Sequence, residues 1–377
     1  MTDATCWNVP RAWGRGLIEV DPKCDERWDA FVESHPDASV FHHSAWLRTL
    51  EAEYGGRVLR LAHEGPGGEL LGILPLQLAR GLPFGRKDRV GGHRLSSLPR
   101  TPTAGPLAVD RAATVALLEG AVDRVRARPG LQLQLKLDEP SLDGLVDDVQ
   151  GHKWARGFAL DLPESPEDLR FGNSRNNARI RWSVHRAERL NTRVRPAETE
   201  ADLRAWYRLY LETMRHHAIP PRPYRLFSAM WQNLRPQNLM ELLLAEHHDS
   251  TGTQLLAGSI FLKFGEKVFY AFNGSHRGAF SFRPNDVIIW RAIHDATADG
   301  YRKFDLGEVD DRSRTLADFK RKWGTTSTWL YRYHYPGSRV KQPVINERTQ
   351  VKAARAVWRH LPLQGTAILG ERIYSYL

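Results

Sequence analysis

Cysteine is nearly absent: the 377 residues include two, Cys6 and Cys24, both close to the N-terminus. Two residues so placed exclude a disulfide framework or a cysteine-rich zinc site, and they fit a reducing cytoplasm. Long apolar runs are missing as well. No stretch approaches the ~18 continuous apolar residues of a spanning helix. The first twenty residues mix Asp, Arg, Trp and Gly where a secretory signal would carry an apolar run. The expectation is a cytoplasmic protein, or one peripheral to the inner membrane surface. No low-complexity segment interrupts the chain, and no Gly-x-Ser-x-Gly elbow offers a serine nucleophile.

What is present is ordinary for a globular chain, 41% hydrophobic and 26% charged, with length enough for two cores. Lys and Arg number 54 against 44 Asp and Glu, a formal charge of +10. A surplus of that sign points to an anionic partner (nucleic acid, a phosphorylated ligand, a membrane surface) or simply to a basic soluble surface.

The hydrophobic pattern occurs twice. Helical spacing puts Trp28, Phe31 and Val32 on one helix and Trp46, Leu47 and Leu50 on the next. Strands follow at 58–62 and 70–76, then a helix over 111–126 and an alternating strand at 131–137. In the second half the spacing predicts helices over 201–214 and 224–234, and strands at 240–245, 255–262 and 267–272. A helix over 284–299 and a strand at 301–306 complete it. A period near half the chain is a duplicated domain. Between the halves, residues 169–195 hold an Arg-rich helical stretch. Beyond Pro336 a tail becomes helical at 351–358.

Four segments of the second half stand in a distinctive order: Phe269-Tyr-Ala-Phe-Asn-Gly-Ser275, Arg283-Pro-Asn-Asp286, Phe304-Asp-Leu-Gly307 and Phe319-Lys-Arg-Lys-Trp-Gly324. With the duplication, they resemble the FemAB-type branch of the GNAT acyltransferase superfamily, over roughly residues 25–335. Phe41-His-His-Ser-Ala-Trp46 and Glu212-Thr-Met-Arg-His-His217 sit where that family has an entry motif and a substrate-facing segment. The resemblance implies an α/β (α+β) chain of two tandem GNAT-like domains, each a mixed twisted sheet flanked by helices. Their expected bounds are 1–165 and, for the catalytic domain, 166–335, with a basic helical tail over 336–377. It further implies transfer of an acyl or aminoacyl group to an amine on a small molecule or peptide. Acyl-CoA or aminoacyl-tRNA is then a co-substrate, with no permanently bound cofactor, in a cell-envelope or secondary-metabolism setting.

Amide formation from an ester or thioester passes through a tetrahedral oxyanion. It needs cationic or hydrogen-bond stabilisation there, deprotonation of the amine and a proton for the leaving group, but no covalent adduct. Lys320 matches the family lysine beside the reacting carbonyl; taken alone, it is one of three successive cations that read as a solvated face. Tyr270 either orients the acceptor amine or closes a core edge, and Asp305 either orients a polar group or caps a turn. On the donor side, the loop 275–286 leads into a helix N-terminus where Arg277 and Arg283 suit phosphate, with Gly278 and Asn285 alongside. The glycine pattern expected for coenzyme A is reduced to Gly278 and Ala279, so the loop leaves acyl-CoA and aminoacyl-tRNA both open. On the acceptor side, Arg215 matches the family's phosphate-facing arginine, with His216, Tyr224 and Trp46 as companions. Cell-wall relatives carry a Lys four residues after the entry Trp and a second Tyr two beyond the strand Tyr. Here those places are Leu50 and Phe272, a departure that bears on a muropeptide acceptor.

Arg175, Arg179, Arg181 and Arg186 either meet tRNA or substrate phosphates or form a solvated helix face. From 170 to 195 eight Arg stand against one acid, and from 336 to 377 seven cations stand against two acids. The net positive charge is therefore concentrated in two segments. A different reading of the same cations is a non-catalytic FemAB-like protein that holds tRNA, an anionic glycolipid or a cell-envelope precursor. The tail suits either peripheral contact with anionic lipid or packing on its own domain. The pairs His42-His43, His216-His217 and His247-His248 have no Cys or carboxylate at ligand spacing, so no metal is expected.

Overall fold

The structure, a computed structural model, describes residues 16–21, 25–79, 93–250, 252–311, 313–337 and 349–374. Cys6 and Cys24 lie outside them. In chain order the first half forms β1 (Leu17–Glu19), α1 (Arg27–Ser34), α2 (Ser44–Tyr54), β2 (Leu59–Glu64), β3 (Leu70–Ala79), β4 (Arg94–Ser96), β5 (Leu107–Ala108), α3 (Arg111–Arg126), β6 (Gln132–Leu137) and β7 (Gln150–Asp161). There follow α4 (Ser174–Arg189), β8 (Thr192–Pro196), α5 (Glu200–His217), α6 (Tyr224–Asn233), β9 (Met240–Asp249), β10 (Gly252–Phe264) and β11 (Lys267–Ser275). The chain then runs through α7 (Pro284–Ala298), β12 (Lys303–Val309), α8 (Arg314–Lys322), β13 (Thr326–Tyr335), α9 (Thr349–His360) and α10 (Leu363–Tyr374). The expected mixed α/β class holds.

Two units result. The described residues of Met1–Leu47, Gly56–His152 and Tyr331–Lys341 make the first; those of Arg48–Gly55, Lys153–Leu330 and Gln342–Leu377 make the second. In the first, strands lie in the order β1-β2-β3-β4-β6, closed by the end of β13, with β5 on β3. The β6 sequence Gln-Leu-Gln-Leu-Lys-Leu alternates, so its leucines share one face. Leu133, Leu135 and Leu137 are buried there with Leu117, Leu118, Ala121 and Val122 of α3. Asp110 caps α3 by accepting the Ala113 N–H at 2.8 Å.

In the second unit the order is β7-β12-β11-β10-β9-β8. Leu243, Ala257, Phe261, Val268, Phe304 and Leu306 form one core with Ile180 and Val184 of α4 and Ile288, Ile289 and Ile293 of α7. On the alternate residues α5 packs against β10 and β11. Its Trp206 indole donates to the Gly258 carbonyl at 2.8 Å. Thr199 and Asp202 form a reciprocal capping box at the start of α5. Each half of the chain runs helix, helix, hairpin, helix, strand. In each, the strands flanking the crossover helix are parallel, β4 with β6 and β11 with β12.

Three further contacts fix the second unit. Arg222 donates to both carboxylate oxygens of Glu53, at 2.9 and 2.6 Å, and both side chains are buried. α9 and α10 pack on α5, where Arg215 donates to the Leu361 carbonyl and Arg359 to the His216 carbonyl. Among the described residues no helix is long and apolar enough to cross a membrane.

At Gly274 the backbone of α5 rests on β11: a Cβ there would stand 2.5 Å from Tyr210 N and 2.9 Å from Leu209 C. Gly274→Ala is therefore expected to lower the free energy of unfolding by about 2 kcal/mol or more, read from urea titration. A loss below ~0.5 kcal/mol, the range of a neutral surface change, would contradict this contact.

Candidate active site

The sheet of the second unit comes apart at one place. β11 and β12 pair at Lys267–Lys303, Val268–Phe304 and Phe269–Asp305, and the ladder then stops, although both strands continue. The cause lies on β12. Its register against β7 slips between Asp305 and Glu308, where Gly307 takes φ +80°, a conformation that glycine adopts without strain. Asp305 Oδ1 accepts the Gly307 N–H at 2.6 Å and closes the turn. A Cβ at 307 would stand 3.6 Å from Lys320 Nζ and 3.7 Å from the Phe269 ring.

α8 delivers Lys320 to this gap. Ala317 and Lys320, three residues apart, are its buried positions, and Trp323 just beyond is fully buried, edge-on to Phe171. Lys320 Nζ donates to the Glu308 carbonyl at 3.0 Å and lies 5.8 Å from the centre of the Phe158 ring. An ammonium has three donors, so two remain beyond this hydrogen bond. Burial pushes the Lys320 ammonium down to about 8, partly offset by Glu308 and Asp305. Burial likewise pushes Asp305 up to about 6, against the Gly307 N–H and the Lys320 charge. A cation and a carboxylate whose titrations approach neutrality from opposite sides are equipped for electrostatic and proton-transfer chemistry. The rest of the cation run separates: Arg321 is exposed beside Asp318 at 2.9 Å, and Lys322 pairs with Asp286 at 2.6 Å.

Tyr270 follows Phe269 and leaves the strand on the opposite side. Its ring lies 5.5 Å from Phe261, and burial pushes the phenol up to about 12, with Ser259 acting in the opposite sense. Among the described residues no contact joins it to Lys320 or Asp305. Beside Phe158 and α8 a cavity of about 250 Å³ is lined by Arg156, Asp310, Asp311, Arg314, Asp318 and Arg321 over Val309 and Ala317.

The donor-side residues gather at the entrance of α7. Arg277 and Gly278 are exposed at the start of a 3-10 turn, Arg277–Phe282. Arg283 has φ 58° and sets its guanidinium 5.2 Å from the Trp182 ring. Its Nε and Asn285 Oδ1 are buried without a hydrogen-bond partner. Asp286, in the first turn of α7, is the partner of Lys322. On α4, Arg175, Arg179 and Arg186 share one helix face with Trp182, which is 46% exposed, whereas Arg181 points away from them by helical spacing. Arg186 Nε donates to the Ser281 carbonyl, so this stripe reaches the donor loop. Trp182 escaped the sequence reading, although it stands seven residues after Arg175 and four before Arg186.

Of the acceptor-side residues, Arg215, His216 and Tyr224 lie in the second unit and Trp46 in the first. Arg215 and His216 face α9, and Arg277 and Arg359 help lower the His216 pKa behind desolvation. Tyr224 donates to Glu200 at 3.3 Å and packs on Tyr207. Trp46, in the first unit, is buried edge-on to Phe41. Leu50 is fully buried, and Phe272 packs on Phe227. Among the described residues no cluster of three or more His, Cys, Asp or Glu could hold a metal ion.

Residues 174–321 match the family described as acetyltransferase (GNAT) domain. A UDP-N-acetylmuramoylpentapeptide-lysine N(6)-alanyltransferase of Weissella viridescens is 26% identical over 160 residues, 41% of this chain and 44% of that protein. The match thus spans less than half the length of that relative. Among solved structures, FemX superposes with a TM-score of 0.62 at 17% identity, covering 84% of this chain and 96% of the other. L-PGS from Bacillus licheniformis superposes with a TM-score of 0.53 at 12% identity, covering 90% and 97%. At these identities the likeness is one of fold.

The buried ammonium has a thermodynamic signature. Lys320 titrates at about 8 in the folded chain against 10.5 unperturbed, so between those values the unfolded chain binds more protons and stability rises with pH. Relative to Lys320→Met, the wild type is expected to gain about 3 kcal/mol across that interval, measured by urea unfolding at a series of pH values. A constant difference between the two proteins would mean that Lys320 is solvated.

Proposed function

We propose that this chain, a FemAB-like member of the GNAT superfamily, forms an amide by moving an acyl or aminoacyl group from an activated donor to an amine. The observation that carries this reading is the buried Lys320 ammonium beside Asp305, where β11 and β12 part. The acceptor nitrogen attacks the donor carbonyl carbon and gives a tetrahedral oxyanion. Lys320 stabilises that oxygen with its uncommitted N–H groups. Asp305, ionised above about 6, takes the proton released from the amine. Collapse breaks the bond to the leaving oxygen or sulfur, which takes up a proton, and no covalent enzyme adduct forms. Tyr270, packed against Phe261 behind the strand, supports β11 in this reading.

The donor is acyl-CoA or an aminoacyl-tRNA. Asp286 in the first turn of α7 puts a carboxylate where a pyrophosphate would otherwise meet the helix N-terminus, which favours the aminoacyl ester. The Arg175–Arg179–Trp182–Arg186 stripe supports the same choice by offering cations and a stacking surface. For the acceptor, the charge-paired lining of the cavity beside Phe158 suits a peptide or an amino-acid-like amine. The Weissella relative is named for lysine N6 of a nucleotide-linked muropeptide. Here Leu50 and Phe272 belong to packed interior, so we do not assign them to such an acceptor.

With acetyl-CoA and alanyl-tRNA supplied in parallel and amide products followed by mass spectrometry, kcat/KM is expected to rise through about 6 and fall above about 8. Asp305→Asn should remove the acidic limb, and Lys320→Met should lower kcat by a factor of ~10²–10³. A wild-type rate retained in Lys320→Met would sink the assignment.

A further inference from the structure

The two basic segments of the sequence meet in the second unit, at opposite ends of the 3-10 turn Arg277–Phe282. At its start, His276 Nδ1 lies 3.1 Å from Glu212 of α5, one helical turn before His216. Arg359 of α9 donates to the His216 carbonyl at 3.2 Å, and the His216 and His217 rings lie 5.1 Å apart. Arg277 and Arg359 both help lower the pKa of these two histidines, behind desolvation. At the other end, Arg186 of α4 donates to the Ser281 carbonyl at 3.2 Å, and Arg283 stands 5.2 Å from the Trp182 ring.

The turn carries the charge from one helix to the next. At three residues per turn, Arg277 and Phe280 eclipse, and both are exposed, Phe280 by 53%. Trp182 is flanked by Arg283 and Arg186, whose guanidinium carbons lie 5.2 and 5.5 Å from its ring centre, and it is still 46% exposed. From there Arg179 and Arg175 continue along the same face of α4 for a further ~10 Å. Arg175, Arg179, Arg277 and Arg359 are exposed, and among the described residues none of them is paired with an acid. The acids close by are engaged elsewhere: Glu212 with His276, Glu188 with His185 and Asp286 with Lys322. One phosphate would use two or three such cations. Cations spread over two helices and a turn, with two exposed aromatic rings among them, match a strand that repeats phosphate and base.

We propose that α9, the turn and α4 form one track for an unpaired RNA strand, with phosphates on Arg359, Arg277, Arg186 and Arg179 and bases stacked on Phe280 and Trp182. This rests on the aminoacyl-ester reading of the donor. It adds to that reading the C-terminal tail as a binding element and the single-stranded form of the RNA. Guanidinium forks match phosphate oxygens whatever the sequence. Stacking on an aromatic ring needs a base with an open face, which a base paired inside a duplex does not offer, so the two rings select a single strand.

Fluorescence anisotropy of a labelled, unstructured RNA octamer titrated with the full chain tests this at a series of salt concentrations. The expected result is saturable binding whose log K falls with log salt at a slope of about −3, the value for about four phosphate contacts on a single strand. Arg359→Gln, in the tail, should make that slope shallower by about 0.7. Trp182→Ala should weaken binding about tenfold and leave the slope as it is. Should that variant not fold, Phe280→Ala removes the more exposed ring and is expected to act in the same way. A blunt RNA duplex of the same length should bind more weakly by a factor of about ten. No saturable binding by the wild type overturns the proposal. So does an unchanged slope in Arg359→Gln, an unchanged affinity in the folded ring variant, or a duplex held as tightly as the single strand. Binding to phosphatidylglycerol vesicles with none to the octamer would assign the cations to a lipid surface and overturns it as well. Lys320→Met should bind RNA as the wild type does, so failure of the track and failure of the transfer chemistry are separate results.

Discussion

An ammonium held out of water where two parallel strands separate is the constraint on which the second unit is organised. Asp305 turns back on the Gly307 N–H, the register slips, and the Glu308 carbonyl becomes available to Lys320. That carbonyl, together with Ala317 and Trp323 in the core, decides how α8 is rotated about its axis. Burial works against the charged forms of both Lys320 and Asp305, so each group is less stable in place than it would be in water. The large core under α4 and α7 offsets that cost, as is common where reactive groups are kept poised.

The two units share an order of elements but not a chemistry. Where β11 and β12 part, the second presents a carboxylate and an ammonium; on β4, β6 and β13 the first presents arginine, histidine and serine. Strand pairing and the crossover helix are thus independent of what the polar face carries. Side chains on that face are free to diverge because the leucine face of β6 and the Phe261–Val268–Phe304 face of the second unit do the packing.

Elements with a strong period were legible in the sequence. The leucines of β6, the Pro284 start of α7 and the helical spacing of α5 each follow from local pattern. β7 and β13 were not, because their sequences mix Lys, Arg, His and Trp along strands that are partly exposed on one side. The site was legible only as residue types. Lys320 stands in a charge run that looks solvated, and its burial depends on Ala317 three residues before it and on a register slip that no local pattern announces. Tyr270 and Phe269 illustrate the limit: adjacent on the strand, they part to opposite faces, and only pairing with Asp305 tells which one borders the gap.

The closing strand of the first unit has a consequence for how the protein is made. Residues 331–335 of β13 pair with β6, and strands β1 to β6 all precede residue 138. During synthesis β6 must therefore wait, its edge unpaired, until nearly all of the second unit has left the ribosome. An open edge beside a leucine face invites wrong partners. The two units are consequently one folding problem, and cutting the chain between them would leave the first without its last strand.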